Sequence, residues 1–160
     1  MTFPAAGTPR STTFAVAATS HNVVMPVTVE SGDLLVVVIQ AGATLGLGEP
    51  DITTPSGWEL ISFDKFTLTA TVKATGIYKR KATGSEGGAS VDFVTSISCW
   101  AAALAVRITA ATWNGALADI TVGTLAFGTP DPPTVTSALG SADNLFIALG
   151  GWSDDAATVS

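Results

Sequence analysis

The run Leu34-Leu35-Val36-Val37-Val38-Ile39 constrains this chain more than any other stretch. Six apolar residues in a row do not alternate, so a strand built from them has no wet face and must be covered on both sides. The run follows Glu30-Ser31-Gly32-Asp33. That is a turn in which glycine permits positive φ and the aspartate can bond nearby backbone. The pattern returns far downstream in Ser141-Ala142-Asp143-Asn144-Leu145-Phe146-Ile147-Ala148-Leu149, with Ser, Asp and Leu at the same spacing. The repeat predicts two comparable strand units and carries no chemistry. Aligned on it, Ser160 falls opposite Pro50, short of a counterpart to Thr54-Pro55-Ser56-Gly57-Trp58-Glu59-Leu60. A further strand is therefore expected beyond Ser160 or from a neighbouring subunit.

The rest of the chain reads as short strands separated by Gly, Pro and Asp. Residues 11–17 and 23–29 have the β-branched content of strands, and Pro26 marks a bulge or an edge position. Residues 40–57 form a long irregular stretch with six Gly and Pro. It either caps one end of the fold or makes a subunit or ligand contact. Residues 58–63 resume strand character, and Asp64-Lys65 is predicted to be a turn. Phe66, Leu68, Ala70 and Val72 alternate with Thr and Lys, the period of a half-buried strand over 66–73. Strands are also predicted over 76–81, 91–95 and 119–122. Trp100-Ala101-Ala102-Ala103-Leu104-Ala105 has helical propensity, but its β surroundings argue for a buried strand. The sum is a single all-β domain over 1–160: an antiparallel β-sandwich of jelly-roll or Greek-key type.

Composition narrows the partners. Charged residues are 12% and the net charge is −6, with only seven Lys and Arg. A duplex-binding protein needs a basic face to displace counterions, so nucleic acid is not an expected partner. No apolar run approaches the ~18 residues of a membrane span, so no membrane partner is expected either. Lys79-Arg80-Lys81 is the one basic cluster. It reads as an edge strand guarded by charge, or as a contact for an acidic partner. A mean hydropathy of +0.46 is high for a soluble monomer. It points to apolar surface used in an interface, hence to a homo-oligomer, for which a trimer is one candidate.

The chain shows no catalytic signature. His21 is the only histidine, and beside Asn22 it reads as part of a surface turn. Cys99 is the only cysteine and reads as a buried free thiol. One His and one Cys cannot build a structural zinc site. Ala82-Thr83-Gly84-Ser85-Glu86-Gly87-Gly88 lacks the Lys-Ser or Lys-Thr of a phosphate loop. Glu49, Asp51, Asp131, Asp154 and Asp155 lack the spacing of a calcium loop. No cofactor is implied. Trp58, Trp113 and Trp152 lie near turns or loop–strand junctions. They either plug the ends of the fold or offer flat faces to a glycan.

Several motifs, in order, resemble a group of small tailed-bacteriophage virion proteins. They are Gly32-Asp33-Leu34-Leu35-Val36-Val37, Thr54-Pro55-Ser56-Gly57-Trp58-Glu59-Leu60-Ile61, Tyr78-Lys79-Arg80-Lys81-Ala82-Thr83-Gly84-Ser85-Glu86, Arg107-Ile108-Thr109 and Asp143-Asn144-Leu145. The resemblance spans about residues 20–152. It implies head-decoration, head-fibre or tail-fibre β-sandwich modules: non-enzymatic proteins on the particle surface, made in the host cytoplasm. Other virion proteins would be the partners, and a host surface glycan would be the ligand if the module is an adhesin. Candidate partner or glycan contacts are Trp58, Trp113, Trp152, Lys79, Arg80 and Lys81.

Overall fold

The computed structural model describes residues 5–68 and 70–113, and the backbone of 151–154 and 156–159. Five strands make one antiparallel sheet: β1 (Arg10–Val24), β2 (Leu34–Thr44), β3 (Glu59–Thr67), β4 (Thr71–Lys81) and β5 (Ser90–Ile108). Their order is β1-β5-β2-β4-β3. A 3₁₀ turn follows at Ala110–Thr112, and β6 (Gly151–Asp154) pairs with β7 (Ala156–Val159) as a hairpin. β7 lies against β1, β2 and β5. The all-β, antiparallel character matches the sequence reading. The second copy of the repeat and the strand predicted at 119–122 lie in residues 114–150, outside the described residues, and the jelly-roll or Greek-key order turns on them.

The strand nature of β2 follows from its composition, and its burial follows from its place. It is the central strand, flanked by β4 and β5. Leu35, Val37, Ile39, Ala41 and Ala43 face the main core; Leu34, Val36 and Val38 face a smaller cluster with Ile77 and Ile108. Both faces are covered, as an unbroken apolar run requires. Residues 101–105 are buried in β5 as a strand, not a helix. Ala41 pairs with Ala101 and Ile39 with Ala103, so β5 sets small side chains beside β2.

β5 is the unexpected element. At ~3.3 Å per residue its 19 residues would run about 60 Å if straight. Yet both ends are tied to one place. Ile108 and Lys81 share the partner Leu34, while Ala89, just before Ser90, donates to the Glu86 carbonyl at 3.0 Å. The strand must therefore double back. The bend lies where the β1–β5 register breaks: residues 15–17 of β1 stand against Trp100 alone, and residues 95–98 of β5 against Thr19 alone. The first half of β5 then covers the core face of the second half. Phe93 packs edge-on to Tyr78 (5.1 Å between ring centroids) and Trp58 (6.0 Å), and the Tyr78 hydroxyl donates to the Ile52 carbonyl. Two layers arise by bending one sheet, so the segments predicted separately at 91–95 and 99–108 are one strand.

The same bend corrects the N-terminal reading. Residues 10–24 are one strand, and Pro26 lies just outside it, where its carbonyl accepts from Gly88 N–H. Asp64 and Lys65 are also strand residues, not a turn. The chain reverses later, between β3 and β4, where Leu68 N–H meets the Thr71 carbonyl at 2.7 Å. The alternation from Phe66 to Val72 therefore spans a hairpin rather than one strand. Lys65 is held instead by Asp51 at 2.7 Å and sits over the Phe63 ring.

Candidate functional site

Four of the motifs quoted above, distant in sequence, meet at one end of the sheet; the fifth, Asp143-Asn144-Leu145, lies outside the described residues. β2 begins there, β4 and β5 end there, and three turns lie side by side. Gly32, at φ +89°, turns the chain so that its N–H reaches the Ala82 carbonyl, while Ala82 N–H returns to the Asp33 carbonyl at 2.7 Å. Asp33 is 1% exposed. Its carboxylate accepts from Glu30 N–H (2.7 Å), Ala110 N–H (2.8 Å) and the Arg107 guanidinium. Burial alone would push this carboxyl up, but the two backbone donors and Arg107 outweigh it and hold it below the usual range. Arg107 also reaches Glu30 at 3.6 Å.

The neighbouring turn repeats the device. Glu86 is buried, and its carboxylate accepts from the backbone N–H of Thr83 and Gly84 and from the Thr83 hydroxyl. Burial raises its pKa, and these donors more than reverse the rise. Arg80 bridges to it at 3.1 Å and lies against Gly57. Thr54-Pro55-Ser56-Gly57 is thereby joined to Lys79-Arg80-Lys81. Trp58 N–H closes this turn on the Pro55 carbonyl.

Lys79, Arg80 and Lys81 do not form one basic surface. They lie on β4, an interior strand between β2 and β3, which corrects the edge-strand expectation. Strand alternation sends Lys79 and Lys81 to one face and Arg80 to the other. Lys79 is buried and pairs with Glu59 at 3.6 Å, Arg80 with Glu86, and Lys81 is exposed. The edge position belongs to β3 because a tight hairpin returns the chain beside β4.

The tryptophans also separate. Trp58 is buried against Phe93 in the main core. Trp113 is half-buried on the opposite face, packs on the smaller cluster and donates to the Gly32 carbonyl at 3.0 Å. Trp152 lies in β6 opposite Thr158, and its side chain lies outside the described residues. No shared aromatic platform joins Trp58 and Trp113.

His21 corrects the surface-turn expectation most sharply. It is fully buried in β1, beside Thr95 and Cys99 at the bend. Its Nε2 is 3.2 Å from Thr95 Oγ1 and 3.6 Å from Cys99 Sγ. Thr95 donates its only hydroxyl proton to the Ile97 carbonyl at 2.9 Å, so towards Cys99 and His21 its oxygen can only accept. Burial pushes the imidazole pKa down, against the opposing charge of Asp92, and pushes the Cys99 thiol up. Both are neutral, so this pair is not the thiolate–imidazolium of a nucleophile. It fills the bend where the strand ladder is interrupted. The period of two over Ser20-His21-Asn22-Val23, exposed then buried, was the signal that could have placed it. Among the described residues no three His, Cys, Asp or Glu are grouped to hold a metal.

The turn cluster is thus a set of carboxylates and guanidiniums consumed by the fold, with no reacting group held ready. Comparison with protein-family models, curated proteins and solved structures finds no match.

Proposed function

We propose that this chain is a non-enzymatic structural subunit of a bacteriophage particle, a capsid decoration or head-fibre protein. It would act as a homo-oligomer on the virion surface among other virion proteins. The observation that supports the reading is the convergence of the motifs. Gly32-Asp33, Arg80, Glu86 and Arg107, which carry the resemblance from separate parts of the chain, are linked by hydrogen bonds and ion pairs, and Gly57 lies against Arg80. Weak motifs that assemble into one structural device support a shared fold better than motifs scattered over a surface.

The same placement weighs against a glycan-binding adhesin. Trp58 is enclosed, and the indole N–H of Trp113 is already spent on backbone. A sugar platform needs an accessible aromatic face. The direct test is electron microscopy of a particle that carries the chain, labelled with an antibody against it. Ordered label on the head supports the decoration reading, and label absent from purified particles overturns it. A glycan array run with wild type and Trp152→Ala tests the adhesin. Clean binding lost in the variant would sink the purely structural reading.

A further inference from the structure

The two edges of the five-stranded sheet differ in a way that points to a partner. β3, at one edge, carries Glu59, Asp64 and Lys65, and charges on an edge oppose pairing with another sheet. β1, at the other edge, has no charged residue from Ser11 to Ser20. Ser11, Thr13, Ala15, Val16 and Ala17 are exposed, Val16 at 81%. Among the described residues no strand lies on the outer side of β1. Its regular part, Arg10 to Phe14, ends at the register break, so the usable edge is short and defined.

We infer that β1 pairs antiparallel with β1 of a second copy of this chain, about a two-fold axis at Thr12, joining two five-stranded sheets into one. An antiparallel edge is self-complementary in backbone hydrogen bonding under a two-fold, so one unpaired strand serves as both surfaces. The register sets Ser11 against Thr13 of the second copy on one face, a hydroxyl pair favoured across strands. On the other face it sets Arg10 against Phe14, a guanidinium facing a ring. No like charges oppose each other. In a chain of net charge −6, an uncharged edge ending in an arginine lets two copies approach with little repulsion.

This pairing deepens the subunit reading above and fails separately from it, because it is read in the purified protein without any particle. Sedimentation of wild type at about 100 µM should give twice 16.1 kDa. The double variant Ser11→Lys/Thr13→Lys sets ammonium against ammonium across the axis and should sediment as a monomer. So should Ser11→Glu/Thr13→Glu. Mixing the two variants should restore a dimer, which a folding defect could not produce. A third readout uses Ser11→Cys/Thr13→Cys, which added diamide, a two-electron thiol oxidant, should convert to a disulfide-linked dimer while buried Cys99 stays reduced. A monomeric or trimeric wild type would overturn the β1 pairing, as would a dimer indifferent to the charged variants.

Discussion

The two ends of the sheet are built from different materials. At the end where β2 begins, turns are locked by buried charge: Asp33 with Arg107 and two backbone donors, Glu86 with Arg80 and the Thr83 turn. At the opposite end, where β2 runs into residues 45–48 and β3 turns into β4, the locks are mostly backbone. Leu45 N–H meets the Ala70 carbonyl, Leu47 N–H the Thr44 carbonyl and Leu68 N–H the Thr71 carbonyl. The leucines themselves face solvent, Leu47 at 62%. A turn held by buried ions is intolerant, since removing one partner strands the other in a poor solvent. A turn held by its own peptide groups depends little on its side chains. The difference teaches where this chain keeps its specificity, and it can be broken experimentally from either end.

The largest effect should come from Asp33→Ala. It leaves the N–H groups of Glu30 and Ala110 without their acceptor, and Arg107 with only the exposed Glu30 at 3.6 Å. Breaking a buried ion pair from one side costs about 3–5 kcal/mol. Urea unfolding should show the midpoint fall with the slope unchanged. A loss below about 1 kcal/mol, the size of a surface ion pair, would remove the distinction between the ends.

Acid should attack the same end. Asp33 and Glu86 have folded-state pKa values below their ordinary ones, so their stabilisation is present above about pH 4 and is lost as pH falls through the folded values. His21 adds to this from the bend. Its folded pKa lies below 6.5, so protonation of the unfolded chain begins to draw the equilibrium over as pH drops under that value. The alkaline limit has the opposite sign. Tyr78 is pushed up to about 12 by burial, so its contribution holds below 10 and fades as pH climbs from 10 to 12. Thermal melts across pH should show decline below 6.5, steepening below 4. In Glu86→Gln the steep part should shrink. Acid stability unchanged down to pH 3 would contradict the buried-carboxylate account.

A matched pair of glycines sharpens the comparison at smaller scale. Gly84 and Gly46 have nearly the same backbone, φ +98° and +104°. An alanine at either is strained by about 1–3 kcal/mol. Their surroundings differ: a Cβ on Gly84 would lie 3.1 Å from Ser31 N, while a Cβ on Gly46 meets nothing within 4 Å. Gly84→Ala should therefore cost about 1 kcal/mol more than Gly46→Ala, the lower range of overpacking penalties. Equal losses in denaturant unfolding would mean that the Ser31 turn yields freely, and the locked end is softer than its hydrogen bonds imply.

Much of the fold was legible because it depends on local pattern. The unbroken run at Leu34–Ile39 demanded two covered faces, and β2 has them. The alanine run at 101–105 was readable as strand only from its neighbours, and its burial explains the small side chains. What stayed hidden was non-local. Nothing in residues 90–108 announces one strand that doubles back, because the bend is made by mismatched insertions on β1 and β5 together. His21 was misread for that reason: after the register break the inward-facing positions of β1 change parity, from Thr12 and Phe14 to His21 and Val23. The basic triplet was misread because charge on a strand suggests an edge, whereas Lys79 and Arg80 answer Glu59 and Glu86, which only the fold brings near. For the tryptophans the sequence left two readings, a plug or an open face, and only the layer over Trp58 decides between them there.

The smallest effect belongs to the leucines of the open end. Leu45→Ser and Leu47→Ser remove exposed side chains from a turn whose hydrogen bonds are all main-chain. Each should change unfolding free energy by no more than about 0.5 kcal/mol, the usual range for surface sites. Leu68, 44% exposed across the neighbouring hairpin, should behave the same way. Exposed leucines that contribute nothing to stability are a cost in solubility, since apolar surface in water favours association. The double variant Leu45→Ser/Leu47→Ser should therefore keep its melting temperature and raise the concentration at which the protein precipitates. A drop of several degrees instead would show that these side chains pack on the fold, and that the open end is held by more than its peptide groups.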